Sequence, residues 1–213
     1  MGNLDFDQII DEINDALSRA EKVRDQSYIL HREIIKKSGL SIKAIHRNHK
    51  DQARKLLDEI HQLVKDSNEN ICEVEQLSRV GFVHDAQKEY AEAAVTYAII
   101  FDEDMPHPND LNVRYAAYLN GMAEAVGELR RKLLDLMRQD KGDEGEPLLQ
   151  AMDEIYSILV TIDFSDAITG GLRRSTDQAR AILERTRGDF TNHLISKRLR
   201  EDLNKQVAKI QEI

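Results

Sequence analysis

The sequence predicts an all-α bundle, and three observations carry that reading. Three prolines and ten glycines among 213 residues leave too few turns for an all-β fold, which needs one about every 8–12 residues. Ala, Leu, Ile, Glu, Lys and Arg dominate, while aromatics make up 5% with no Trp, a composition that suits long helices. Apolar residues recur at three- and four-residue intervals over long stretches, with no sustained strand-like alternation and no internal repeat. Such periodicity marks amphipathic helices. The length allows one domain or at most two, and a single helical domain over residues 1–213 is expected.

Ile9, Ile13, Leu17, Ala20, Val23, Leu30 and Ile34 share one side of a proline-free stretch. One long helix is therefore expected from about residue 4 to beyond residue 37. A second, over residues 52–64, carries Leu56, Leu57, Ile60 and Leu63 on one side, and residues 67–70 read as a break. A third helix runs from about residue 82 to 101, ended by the Asp-rich, proline-containing loop at 102–108. Asn109 or Asp110 offers a cap for a fourth helix reaching about Arg138. The loop between the third and fourth is short, which favours antiparallel packing. Gly142, Gly145 and Pro147 mark another loop, helix resumes near Leu148, and residues 163–171 form a break. A long basic helix is expected over about 172–209, loosened at Gly188.

With 41% hydrophobic and 32% charged residues the chain can bury a core, yet it is too polar for a membrane protein. It contains no run of about 18 uncharged apolar residues and no signal-peptide pattern after Met1. A cytoplasmic protein without membrane contact is expected. The single cysteine, Cys72, excludes an internal disulfide and any cysteine-based metal cluster, and reads as structural.

The net charge of −9 hides a separation. Residues 19–55 hold 11 basic and 4 acidic residues, residues 168–213 hold 10 and 6, and the remainder carries −20. Separation on this scale shapes the surface field more than the net value does. Arg32, Lys36, Lys43, Arg47 and Lys50 fall within a wedge of roughly 60° if the helix continues through Gly39. Such a stripe can follow a phosphate backbone; a solvated helix face is the other reading, equally weighted.

The third and fourth helices hold the most informative residues. The run YAEAAVTYAIIF carries one charge, Glu92, and YAAYLNGMAEAVGEL carries only Glu124 and Glu128. A helix apolar nearly all round is a buried helix, where an unpaired carboxylate costs several kcal/mol or takes up a proton. Glu89 and Glu92 are an i,i+3 pair and Glu124 and Glu128 an i,i+4 pair, so each pair projects from one side of its helix. Ala117, Gly121, Ala123, Ala125 and Gly127 keep the fourth helix thin. Four glutamates brought together would repel unless a hard divalent cation, Mg²⁺ or Mn²⁺, joined them. Two alternatives stay open: Glu89 facing solvent beside Asp85 and Lys88, or glutamates paired with Arg114, Arg130 or Arg173. A di-iron centre is excluded, because it requires Glu-x-x-His on two helices and no glutamate here precedes a histidine by three.

No P-loop, dinucleotide-binding, nucleophile-elbow or H-E-x-x-H motif is present. His46 and His49 imitate a metal pair, but His46 flanks the basic stripe and reads as an RNA contact. His84, one turn before Glu89, reads as a proton-transfer residue or an ordinary surface histidine.

Residues 87–93, QKEYAEA, closely resemble the Q-E-Y-V-E-A motif of the TRAX (translin-associated factor X) branch of the translin/TRAX family. Residues 118–129, YLNGMAEAVGEL, are similar to its Y-L-x-G-V-A-D-L-x-G-E-L. Arg32-Glu33-Ile34, Ser38, Ile42 and His46-Arg47 stand at spacings similar to R-D-I, S, I and H-R in that branch. The resemblance covers most of the chain. It implies a fold of about seven helices, a closed barrel-like oligomer around RNA, and Mg²⁺-dependent endoribonuclease activity. By position, Glu89, Glu92 and Glu124 match the essential carboxylates and Glu128 the fourth acidic position. The non-catalytic translin branch lacks the counterparts of Glu89 and Glu92, which implies a catalytic subunit. One departure stands out: animal relatives have Asp where this chain has Glu124, whose carboxylate reaches one methylene further.

The expected function is therefore hydrolysis of single-stranded or partly unpaired RNA by cation-activated water, leaving 5′-phosphate and 3′-hydroxyl ends. Glu89, Glu92, Glu124 and Glu128 would be catalytic and hold Mg²⁺ or Mn²⁺. Arg32, Lys36, Lys43, His46, Arg47, Lys50, Arg173, Arg174 and Arg180 would line the strand's path. A homo-oligomer, octamer or hexamer, is expected without a long basic N-terminal tail. The alternatives are a non-catalytic RNA- or DNA-binding assembly and a plain helical scaffold.

Overall fold

The computed structural model describes residues 6–72 and 81–211, which form seven α-helices and no strand. These are α1 (Phe6–His46), α2 (Lys50–Cys72), α3 (Gly81–Ile100), α4 (Tyr115–Arg138), α5 (Glu146–Val160), α6 (Asp166–Thr169) and α7 (Leu172–Gln211), with a 3-10 turn at Gly142–Gly145. The side chain of Cys72 and the expected start of α1 near residue 4 lie outside the described residues. No described helix is long and apolar enough to cross a membrane.

α1 continues through Gly39 and stops where Asn48 takes a left-handed φ of 61°. The His49 amide then bonds back to the Ala44 carbonyl at 2.9 Å, a closing pattern that satisfies helix-end carbonyls. α2 folds back antiparallel on α1. Lys37 meets Glu59 at 2.6 Å, the Ser41 hydroxyl donates to the Ala53 carbonyl at 3.2 Å, and His31 meets Ser67 at 3.1 Å. That last bond corrects the expected break at 67–70. Ser67 is fully buried beneath His31, so tertiary packing carries α2 on to Cys72.

The connection from α3 to α4 gives a second correction. Leu111 and Val113 bury themselves, and neither Asn109 nor Asp110 caps α4, which begins only at Tyr115. The Arg114 amide donates instead to the Gln87 side-chain carbonyl at 3.1 Å, so a residue of α3 takes the capping role. This returns the chain to the first half of α3. Arg114 lies by Gln87 and Gly121 by Ala91 and Glu92, so α3 and α4 ascend in the same sense rather than forming an antiparallel hairpin. α1 ascends with them, from the His31–Phe82 ring contact to the His46–Glu128 bond. α7 does the same against α4, from Asn120–Ser175 to Arg130–Asp189. Residues 163–171 include the short α6, and α7 passes Gly188 unbroken.

Two apolar clusters hold these helices. One joins Ile34, Ile45, Ile60 and Val64 of α1 and α2 to Tyr90 and Ala94 of α3. The other joins Leu129 and Leu133 of α4 to Met152, Leu183 and Phe190. The α3–α4 contact bridges them, and the acidic residues sit on it.

Candidate metal centre

Residues 90–98 of α3 are buried without interruption, because α3 has neighbours on nearly every side. Glu92 shares that fate at 8% exposure, while Glu89 and Glu124 are half-buried. What draws the three together is Gly121. A Cβ there would stand 2.7 Å from both the Ala91 Cβ and the Lys88 carbonyl oxygen, and 2.8 Å from the Glu92 amide. Only a residue without a side chain allows that backbone approach, and it brings the next turn of α4, with Glu124, over Glu89 and Glu92. Asn120 pins the same turn from behind. Its amide donates to the Ala116 and Thr169 carbonyls at 2.8 Å each, and its oxygen accepts the Ser175 hydroxyl at 2.7 Å.

One carboxylate oxygen from each of Glu89, Glu92 and Glu124 lies within 4.8 Å of the others. Burial, reinforced by the charges of Glu89, Glu124 and Glu128, pushes the Glu92 carboxyl up to about 8. Burial and then the Glu124 charge raise Glu89 as well. The donor set fits a hard divalent cation. An octahedral ion with ligands at 2.0–2.1 Å sets its oxygens about 3–4 Å apart, so a small side-chain adjustment would bring these three into its shell.

Two neighbours modify the expected picture. Glu128 does not join the trio. It accepts a 2.5 Å hydrogen bond from His46 Nε2, stands 3.7 Å from Arg131, and the His46 bond holds its carboxyl below the usual range. Lys88, which sequence reasoning left at the surface, extends its ammonium to Glu124 Oε1 at 2.6 Å. Burial opposes that charge, but the bond to Glu124 and the surrounding carboxylates outweigh it and raise the lysine. Lys88 occupies the position of the motif's Gln, and only its reach across to α4 reveals it. Of the arginines weighed as partners, Arg130 goes elsewhere, to Thr186 at 3.0 Å and Asp189 at 2.7 Å. Glu89 faces the other carboxylates rather than open solvent.

The basic residues divide. Arg32, Lys36 and Lys43 are exposed on α1, Arg47 in the turn after it, and Arg173, Arg174 and Arg180 on α7. His46 is not an exposed contact: its side chain is 6% exposed and committed to Glu128. Lys50 leaves the α1 stripe, since it opens α2; it pairs with Glu103 at 2.6 Å and lies over the Phe101 ring. His49 meets Gln52 at 3.3 Å, so the two histidines do not converge. His84 packs on Gly170, whose φ of +64° and contact with the imidazole leave no room for a side chain. Burial lowers the His84 pKa.

No protein-family model matches the chain. An uncharacterized protein of Methanocaldococcus jannaschii is 32% identical over 201 residues, which span 92% of this chain and 89% of that one. Among solved structures, a crystal structure of AfC3PO and the AfC3PO complex with duplex RNA each superpose with a TM-score of 0.78 and 30% identity. That match covers 88% of this chain and 97% of the AfC3PO chain. Apo-NeC3PO shares the fold at the same TM-score with 20% identity, over 91% of this chain and all of the other.

Proposed function

The chain belongs to the translin/TRAX family, with the C3PO proteins, and we propose on that footing that it is an RNA-binding subunit with divalent-cation-dependent endoribonuclease activity. The observation that carries the reading is the convergence of Glu89, Glu92 and Glu124 within 4.8 Å on a largely buried helix contact. Glu89, Glu92 and Glu124 would hold Mg²⁺ or Mn²⁺, with Glu128 oriented beside them by His46. Such an ion, when bound, supplies Lewis-acid activation of water and neutralises charge on the scissile phosphate. Lys88, whose ammonium lies against Glu124 at 2.6 Å, would add positive charge beside the scissile phosphate.

Strand binding falls to the exposed cations Arg32, Lys36, Lys43, Arg47, Arg173, Arg174 and Arg180. Lys43 and Arg47 flank in sequence the His46 that bonds Glu128. Duplex RNA in the AfC3PO complex supports RNA as the ligand class, and a homo-oligomer, octamer or hexamer, is the proposed working form. The Lys88–Glu124 ion pair favours one rival, a non-catalytic RNA-binding assembly, because it already neutralises one carboxylate.

End-labelled single-stranded and duplex RNAs, incubated with the full chain in Mg²⁺ or EDTA, separate the two. Cleavage in Mg²⁺ alone, reduced about 100-fold or more by Glu92→Gln with RNA affinity retained, is the expected result. Turnover that persists in EDTA, or equally in Glu92→Gln, would overturn the reading.

A further inference from the structure

The three converging carboxylates already have a cation beside them, and it belongs to the chain itself. Lys88 precedes Glu89 on α3 and reaches across to α4, where its ammonium meets Glu124 Oε1 at 2.6 Å. The side chain is only 21% exposed, so the pair is drawn partly out of bulk water, where ionic attraction is stronger. Its charge acts on the whole group, favouring the ionised forms of Glu89 and Glu92 as well as bonding Glu124. The root of the side chain is fixed, because the Lys88 carbonyl oxygen belongs to the close approach at Gly121. The stem is not fixed: a lysine carries a compact point charge on a flexible chain of four carbons. Asp85, exposed one turn earlier on α3, adds to the negative field at Lys88 and stands as a second acceptor for it.

A divalent cation held by Glu124 would stand beside that ammonium, and the two charges repel. We infer that Lys88 is a built-in counter-ion of the centre, neutralising the trio while no metal is bound and yielding Glu124 when a divalent cation takes hold. The lysine thereby sets how much cation the chain requires. A site whose competing charge is absent about a tenth of the time binds about 10-fold more weakly than one that is always open. The inference rests on the cation-binding part of the proposed function and not on cleavage.

The test compares wild type with two neutral variants, Lys88→Met and Lys88→Gln, and with Lys88→Arg, all full-length and free of RNA. Mn²⁺ is titrated at pH 8 with the free ion followed by electron paramagnetic resonance, and thermal melts are run in EDTA and in Mg²⁺. The neutral variants should bind Mn²⁺ about 10-fold more tightly than wild type, while Lys88→Arg, which restores a cation, should bind close to wild type. In EDTA the neutral variants should melt below wild type, because the carboxylates have lost their counter-charge, and Mg²⁺ should raise their midpoints more than the wild-type midpoint. The melts also show that each variant folds, and the second neutral variant stands in for one that does not. Wild-type binding that neither neutral variant strengthens, or that Lys88→Arg strengthens equally, overturns the inference while the metal centre stands. Binding by the neutral variants but not by wild type upholds the inference and favours the non-catalytic rival for the natural chain. No binding by any of the proteins overturns both.

Discussion

A carboxylate buried as deeply as Glu92 loses hydration that its neighbours, mostly carboxylates themselves, do not replace. Its folded-state pKa of about 8 stands well above the value of 4.5 expected in an unfolded chain. Between those two values the folded state binds a proton that the unfolded state has released. Stability from this group is therefore complete below pH 4.5 and is lost as pH rises toward 8. Glu92→Gln removes that dependence. In EDTA the variant should melt at or near the wild-type temperature at pH 5 and above it at pH 8, by on the order of 1–3 kcal/mol. Added Mg²⁺ at pH 8 should raise the wild-type midpoint and leave the variant's unchanged. Scanning calorimetry at the two pH values checks both, and a difference independent of pH would contradict the burial argument. His46 acts in the opposite sense on Glu128, holding it ionised, so the two helices present one carboxyl biased towards its proton and one biased against it.

Helices α3 and α4 turn these residues into a site through a single close approach. A methyl at Gly121 would strike Ala91 and the Lys88 and Glu92 backbone at 2.7–2.8 Å, where no flexible side chain can yield. Gly121→Ala should cost about 1–3 kcal/mol by overpacking and spread the three carboxylates. The measurements are a denaturant melt and Mn²⁺ affinity, and an unchanged affinity would show that the close approach does not set the site. Asn120→Ala strips partners from the Thr169 carbonyl and the Ser175 hydroxyl and should cost about 1–3 kcal/mol. Helix content was legible in the sequence because apolar periodicity is local. Helix ends were less so, since long-range bonds decide them: Ser67 extends α2 by bonding His31, and Gln87 sets the start of α4 by accepting the Arg114 amide. The Gln87–Arg114 bond also opposes the antiparallel pairing of α3 and α4 that loop length favours.

Across the whole molecule, exposed cations lie on α1, on the turn that follows it and on α7, at a distance in sequence from the acidic centre. If they hold a phosphate backbone, the logarithm of RNA affinity falls linearly with the logarithm of salt concentration. Removing one contacting cation, as in Lys43→Ala or Arg47→Ala, should lessen that slope by about 0.7–0.9. Filter binding at several salt concentrations measures it, and an unchanged slope in both variants would exclude them from the contact.

The acidic residues were legible as a group because Glu92, Glu124 and Glu128 are the only charges in two apolar runs, and a buried charge demands a reason. That three of them converge while Glu128 pairs with His46 was not legible, because it depends on where α1 ends relative to α4. Lys88 stayed hidden for the same reason, as its partner lies on another helix. The stripe before Ser27 was read as one face of a long helix, and its exposure emerges only once the bundle is seen to begin later.

Everything in the functional account depends on the trio accepting a divalent ion in place of the Lys88 ammonium. Titration of Mn²⁺ into the RNA-free chain at pH 8, followed by the electron paramagnetic resonance of the free ion, addresses this directly. The account predicts saturable binding by the wild-type chain that Glu92→Gln weakens about 10-fold or more. Equal binding by the two proteins, or none by either, would contradict it.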